Sequence, residues 1–339
     1  MIRFLLNEQP VTTTLPPGQT LLDFIRYNQH LKGTKIGCRE GDCGACTVLL
    51  GTLQNGEVKY QSVTSCLVPL GNAAGKHVVT IEGLNLENLS PVQQAIVQEN
   101  GTQCGFCTVG FVVSLTGCCL QKDEPSVTKT IAAMDGNICR CTGYKSLERA
   151  AALITESLQN RPETEHLNWL AQNQFIPPCF LEVPAKLANL QESTTEEIEN
   201  DAAFTVAGGT DLLVQKPETV RDSAVKLLWN KPALKGISVE GNRIFIGGGT
   251  TVSEIRNSEK MQQLFPKLSE YLKLVSSTQI RNMGTLAGNF ANASPIGDLT
   301  VFFLALNARV SLQKSDGPLR EIALKDLYLG YKALVKEPN

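Results

Sequence analysis

Apolar and polar residues alternate along the first part of the chain, then recur at helical spacing, then break into short mixed segments punctuated by glycine. Ile2 to Asn7 and Val11 to Leu15 read as one β-hairpin. Thr47 to Leu53 and Glu57 to Val63 read as another, because Asn55-Gly56 between them is a strong turn signal. Thr20-Leu21-Leu22-Asp23 has a capping-box-like start and predicts a short helix through Tyr27. Together these make a small half-open β domain over residues 1–82. From 83 to 160 the pattern is helical. Ser90-Pro91 supplies an N-cap and a first-turn proline, Asn100-Gly101 a stop, and Ser126 the start of a helix that ends near Gly136. Phe111, Val112, Leu115 and Leu120, then Leu147, Ala150, Ala151 and Ile154, complete a set of four short helices. The polar run from Asn160 to Asn173 before Pro177-Pro178 predicts a surface linker over 161–176. A third domain of mixed α+β character follows over 177–339.

Cysteine changes this picture most. Eight of the eleven cysteines form two sets, Cys38, Cys43, Cys46 and Cys66, then Cys104, Cys107, Cys139 and Cys141. The first reads C-x4-C-x2-C with a distant fourth member, the plant-type ferredoxin spacing for a 2Fe–2S cluster. Gly37, Gly41 and Gly44 are expected to adopt positive φ and to turn backbone N–H groups toward cluster sulfides. A zinc site, a disulfide framework or buried thiols fit less well: zinc motifs present paired knuckles and disulfides suit secreted chains. The second set is a C-x2-C plus a C-x-C, a spacing on which zinc competes with iron–sulfur. The helical patterns that follow each pair place both at helix starts, where unpaired N–H donors and the dipole would stabilise thiolates. Cys118, Cys119 and Cys179 belong to neither set and read as structural.

Composition narrows the function classes. A net charge of −2 and 42% hydrophobic content over 339 residues give a chain of two or three domains without a basic face for nucleic acid. The N-terminal apolar run is too short for a signal peptide and the run Val109 to Leu115 too short for a bilayer, so a cytoplasmic protein is expected. His30, His77 and His166 are scattered and read as ordinary solvent-facing or capping residues; no catalytic nucleophile or general base stands out.

Two glycine-rich stretches mark the third domain. Phe204 to Leu213, containing Ala207-Gly208-Gly209-Thr210-Asp211, reads as strand, tight turn and helix start, able to offer N–H groups to a pyrophosphate, though Gly-Gly turns are commonplace. Arg281 to Asp298 alternates small residues with hydrogen-bonding ones. Gly247 to Thr251 ends a strand and opens a helix at Ser253-Glu254-Ile255. None is a G-x-G-x-x-G fingerprint, so a Rossmann fold is not supported.

The ferredoxin loop, Gln103-Cys104-Gly105-Phe106-Cys107, Cys139-Arg140-Cys141-Thr142-Gly143-Tyr144 and both glycine stretches, in this order, resemble the molybdenum hydroxylases of the xanthine oxidase family. The resemblance implies a β-grasp ferredoxin domain, a four-helix cluster domain and a partial α+β FAD-binding domain. It implies two 2Fe–2S clusters held by the eight cysteines. It implies FAD held by Ala207, Gly208, Gly209, Thr210 and Asp211 on the pyrophosphate and ribityl side, and by Thr285, Gly288, Asn289, Asn292 and Asp298 elsewhere. Asn289 and Asp298 read equally as turn and cap residues. Gln103 would contact a molybdopterin carried by a large partner subunit, in a heterodimer or a dimer of heterodimers. Electrons would enter the second set, pass to the first, then reach FAD and NAD.

Three departures stand out. Val109 replaces a common proline, and Val275 an aromatic able to stack on adenine. The chain stops at Asn339, short of the family's last flavin subdomain, so a truncated form with FAD held weakly or not at all is expected. The competing readings are an autonomous ferredoxin-like carrier with a vestigial flavin segment, the small subunit of another N-heterocycle or aldehyde hydroxylase, and a zinc-stapled interaction module.

Overall fold

Five strands near the N-terminus form one sheet in the order Gln9–Thr13, Ile2–Leu6, His77–Val79, Thr47–Gln54, Glu57–Thr64. These coordinates are a computed structural model that describes residues 1–191, 202–314 and 317–335; the last four residues of the expected third domain lie outside them. Both predicted hairpins form. Asn55 (φ 52°) and Gly56 (φ 82°) make the tight turn that sets the register from Gln54↔Glu57 to Thr47↔Thr64. Ile2–Leu6 runs parallel to His77–Val79, so the chain must cross over between them, and the helix crosses there. Thr20 caps that helix by accepting from the Asp23 amide, as predicted. Beyond Asp23 it widens to a π-type turn through Asn28 that sets Phe24 edge-on to Phe4 at 5.6 Å. Sheet, crossing helix and cysteine loop are the β-grasp arrangement.

His77 departs from expectation: it is 1% exposed. Tyr60 Oη donates to its Nδ1 and its Nε2 donates to the Asn7 carbonyl, each at 2.8 Å. Burial pushes its pKa down to about 4, which keeps the ring neutral.

Helices Pro91–Gln98, Thr108–Cys119, Val127–Ala133 and Lys145–Ser157 make the second domain. Ser90 and Gln93 form a full capping box. Ile96, Phe111, Leu115, Leu147 and Ile154 share one core with Leu49, Tyr60 and Val79 of the sheet, so the two domains pack as one body.

Residues 161–176, expected as a linker, contain the helix His166–Gln172. Leu170, Phe175 and Ile176 are buried in the helical core, and Trp169 stacks on Phe175 at 5.7 Å. Within the polar run, Leu167, Leu170 and Ala171 fall three and four apart and make one apolar face. The next helix, Val183–Gln191, sets Val183 and Leu187 against Leu5 of the sheet.

The third domain is built from two-stranded ribbons and short helices around Val252, Ile255, Leu272, Leu286 and Phe303. Its first strands, Phe204–Val206 and Val225–Leu227, pair in parallel and place Val206, Leu213, Val225, Trp229 and Met283 in the core of the ferredoxin-like domain beside Leu67 and Leu70. Among the described residues, no helix is long and apolar enough to cross a membrane.

Candidate iron–sulfur and flavin sites

The first cysteine loop winds tightly because Arg39, Gly41 and Gly44 take positive φ (60°, 84° and 66°). Gly37 does not share that conformation. It is needed for closeness instead: a Cβ there would lie 2.6 Å from Cys43 Sγ. Backbone amides aim at the sulfurs. Cys38 N–H donates to Cys43 Sγ at 3.4 Å and Glu40 N–H to Cys38 Sγ at 3.3 Å. Burial raises the Cys38 thiol, but amides from Glu40, Cys43 and Asp42 outweigh it and hold the net pKa below its ordinary value. Cys66 enters from the turn Ser65–Leu67. It interacts with Cys46, which is held down chiefly by that neighbour, while Cys66 is pushed up by Cys46 and by burial.

In the second set, Cys107 occupies the N-cap of the helix Thr108–Cys119, as expected. Cys139 and Cys141 do not sit at a helix start. Gly143 and Tyr144, both at φ 67°, interrupt the chain before the helix Lys145–Ser157 begins. Side chains do the work there: Thr142 Oγ1 lies 3.1 Å from Cys139 Sγ, and Cys139 N–H donates to Tyr144 Oη at 3.1 Å. Burial raises Cys139, yet the Thr142 hydroxyl and nearby amides leave it lowered. Cys107 is pushed up to about 12 by burial and by Cys139, and Cys104 and Cys141 bring their sulfurs to 3.8 Å.

This donor arrangement discriminates between metals. A zinc site asks for three or four Cys, His, Asp or Glu donors around one point, whereas a 2Fe–2S cluster asks for two donors on each of two irons. The sulfurs come as pairs, Cys38 with Cys43, Cys46 with Cys66, Cys104 with Cys141 and Cys107 with Cys139. Two cysteines for each iron is the donor set of a 2Fe–2S cluster, so the residues fit that group. The two loops are also tied to one another: Ile138 N–H donates to the Cys43 carbonyl at 3.0 Å and Asn137 Nδ2 to the Gly44 carbonyl at 3.1 Å.

The glycine stretches of the third domain meet as well. A Cβ on Gly208 would lie 1.9 Å from the Met283 carbonyl, and Gly209 (φ 82°) lies against the carbonyl of Leu67. Gly247 to Thr251 joins them, with Ala287 N–H donating to the Gly248 carbonyl at 2.8 Å and Leu286 N–H to that of Thr250 at 2.9 Å. Three glycine-rich segments thus line one cradle, which suits close backbone approach to a pyrophosphate.

Not every expected flavin residue is free to serve. Thr285 caps the helix Leu286–Ala291 by accepting from the Gly288 amide, and Asn289 Oδ1 accepts from the Thr300 amide and hydroxyl at 3.0 Å each. Asp211 accepts from Gln215 at 2.8 Å, and Asn292 from Lys332 at 2.5 Å. Ala207 offers its carbonyl to Asn72 at 2.8 Å, Thr210 lies beside Gly284, and Asp298 is exposed in the first turn of its helix. A cavity of about 1020 Å³ opens between the three domains beside Lys76, Trp229 and Arg281, but none of these flavin candidates lines it.

Gln103 is exposed and donates from Nε2 to the Cys141 carbonyl at 3.2 Å, so it lies directly over the second set. Sequence patterns gave no role to Gln279, Arg281 or Asp135. Arg281 is 1% exposed, donates to the Lys273, Val275 and Ser276 carbonyls, and pairs with Asp135 of the helical domain at 2.5 Å. An arginine on a four-residue helix carries no signal that it will be buried at an interface.

Comparison with known proteins agrees with this geometry. Residues 4–71 match the 2Fe-2S iron-sulfur cluster binding domain family, residues 80–152 the [2Fe-2S] binding domain family, and residues 178–339 the FAD binding domain in molybdopterin dehydrogenase. The xanthine dehydrogenase of Emericella nidulans is 28% identical over 100% of this chain and 29% of its own length. Xanthine dehydrogenase 2 of Arabidopsis thaliana is 30% identical over 95% and 30%. Aldehyde oxidase 1 of Bos taurus is 26% identical over 96% and 29%. The chain therefore spans about 30% of the length of these curated relatives. With iron–sulfur and FAD-binding segments in this order, the chain belongs to the xanthine oxidase family of molybdenum hydroxylases.

Proposed function

We propose that the chain is the electron-transfer part of a molybdenum hydroxylase of the xanthine dehydrogenase type, working with a large molybdopterin-binding partner as a heterodimer or a dimer of heterodimers. The observation that carries this reading is the contrast in exposure between the two cysteine sets. Cys104 and Cys141 are open to the surface beside Gln103, with Phe106 and Ile138 exposed around them, whereas Cys46 and Cys66 are buried. A half-apolar rim around open sulfurs suits a partner that must come close to them, and in this reading Gln103 is the residue that contacts the partner's pterin. The buried set lies nearer the flavin cradle, since Leu67 follows Cys66 and contacts Gly209.

In this reading Cys38, Cys43, Cys46 and Cys66 hold one 2Fe–2S cluster and Cys104, Cys107, Cys139 and Cys141 the other. Ala207 to Asp211 with Thr285, Gly288, Asn289, Asn292 and Asp298 hold FAD. When bound, the clusters supply one-electron carriers and the flavin a two-electron store, which lets a molybdenum centre be reoxidised at the expense of NAD. The chain's own residues exclude water from Cys46 and Cys66, direct amides at Cys38 and Cys43, and leave Cys104 and Cys141 accessible. Similarity to aldehyde oxidase 1, at 26% identity, supports a second reading in which the partner hydroxylates another heterocycle or an aldehyde.

The test is made on the complex co-purified with a molybdenum subunit. Cys104→Ala is expected to abolish substrate-driven NAD reduction while the flavin remains bound. Retention of wild-type NAD reduction in that variant would refute the proposed entry point, and failure to co-purify would refute the partnership.

A further inference from the structure

Gln279 lies on the helix Thr278–Arg281 of the third domain and is 0% exposed. Its Nε2 donates to Ser114 Oγ at 3.0 Å and to Asn137 Oδ1 at 3.1 Å. Ser114 Oγ donates to the same Asn137 oxygen at 2.8 Å, and Asn137 Nδ2 continues to the Gly44 carbonyl at 3.1 Å. One carboxamide of the flavin-side domain therefore reaches both cysteine loops: Asn137 stands two residues before Cys139, and Gly44 follows Cys43. Beside this network, Ile138 N–H donates to the Cys43 carbonyl at 3.0 Å, a backbone-to-backbone bond between the loops.

The fit is close on every side. A Cβ on Gly136 would lie 2.0 Å from Gln279 Oε1, so only glycine leaves room for it. That oxygen is itself buried without a hydrogen-bond partner. An unpaired buried acceptor is costly, and methionine would fill the same space without it. A carboxamide kept at such a cost is explained by what its nitrogen does, because buried polar networks specify one arrangement where apolar packing tolerates several.

We propose that Gln279 is a positioning residue through which the flavin-side domain fixes the two cysteine loops against each other. The inference rests on reading those loops as cluster sites, but its first readout does not. Hydrogen exchange of the Ile138 amide in the full chain reports the loop-to-loop bond with or without iron. In Gln279→Met, which keeps the volume and removes the donor, protection of that amide is expected to fall by about three- to tenfold, the factor that accompanies one net hydrogen bond. Ser114→Ala, a smaller change, is expected to move it in the same direction by less. Thr278→Ala breaks the bond from Thr278 Oγ1 to the Ala132 carbonyl and the one it accepts from Arg281, docking contacts outside the network, and should leave protection unchanged. In iron-loaded protein, the magnetic interaction between the two reduced centres should differ from wild type in Gln279→Met and not in Thr278→Ala. A folded Gln279→Met with wild-type protection, or an equal loss in Thr278→Ala, overturns the proposal. Protein that takes up no iron overturns the cluster reading instead and leaves the exchange result standing.

Discussion

Cys46 and Cys66 are 2% and 3% exposed in a core that the flavin-side domain shares, whereas Cys104 and Cys141 lie on the surface. The first site is rooted in the core: Cys46 and Cys66 share it with Val48, Val63 and Leu67, while Cys38 and Cys43 are half-buried. The second is half core and half loop: Cys139 is buried in the helical core, Cys107 packs against it, and Cys104 and Cys141 stand on exposed loop. Both present paired thiols and amides or hydroxyls aimed at sulfur, so the ligation chemistry is shared and the surroundings differ. Burial allows a centre to be handed electrons only from within the protein. Exposure allows one to meet another subunit.

This comparison breaks most sharply under cysteine substitution. Cys66→Ala should lose one cluster and loosen the core, lowering stability by about 3 kcal/mol and Tm by about 5–10 °C. Cys104→Ala should lose the other cluster with little change in Tm. Iron content, halved in both, and melting curves, shifted in one, check the difference; equal melting of the two variants would contradict it. Gly208→Val should empty the cradle of flavin while both clusters remain, because its side chain must displace the Met283 carbonyl. Flavin absorbance at constant iron content measures this.

Arg281→Met should affect both sites alike. It strands three carbonyls and takes the buried cation from Asp135, which keeps its bond from the Thr278 amide, at the seam between the flavin-side and helical domains. A cost of about 3 kcal/mol is expected in chemical denaturation, without preference for either cluster.

Acid sharpens the contrast again. His77, in the sheet that carries the first site, has its pKa pushed down by burial to about 4 from the ordinary 6.5. The unfolded chain therefore takes up the proton first. The stability from the neutral ring is complete above pH 6.5 and is lost as pH falls from 6.5 toward 4, a contribution on the order of 3 kcal/mol. His77→Gln should flatten that part of the stability–pH curve, and the first cluster should be released before the second as wild-type protein is acidified.

Much of this was legible in the sequence because its signals are local. Asn55-Gly56, Ser90-Pro91 and Thr20 each act within four residues, and the cysteine spacings each describe one loop. The helix His166–Gln172 is hidden because it is short and lies within the polar run from Asn160 to Asn173, and only tertiary contact gives Leu170 a place. The start of the helix Lys145–Ser157 was misplaced toward Cys141 because positive φ at Tyr144 is not written in residue type. Convergence of Gly208, Gly248 and Ala287, and the reach of Gln279 into both loops, join segments far apart in sequence. No period or motif encodes a neighbour of that kind.

The central claim is that the eight cysteines hold two unlike iron–sulfur centres. Reductive titration of the purified full chain, followed by paramagnetic resonance with iron, sulfide and zinc analysis, tests it most directly. The account predicts two distinct signals, one removed by Cys66→Ala and the other by Cys104→Ala, with iron and sulfide in equal amounts. A colourless protein with stoichiometric zinc and no signal would contradict it.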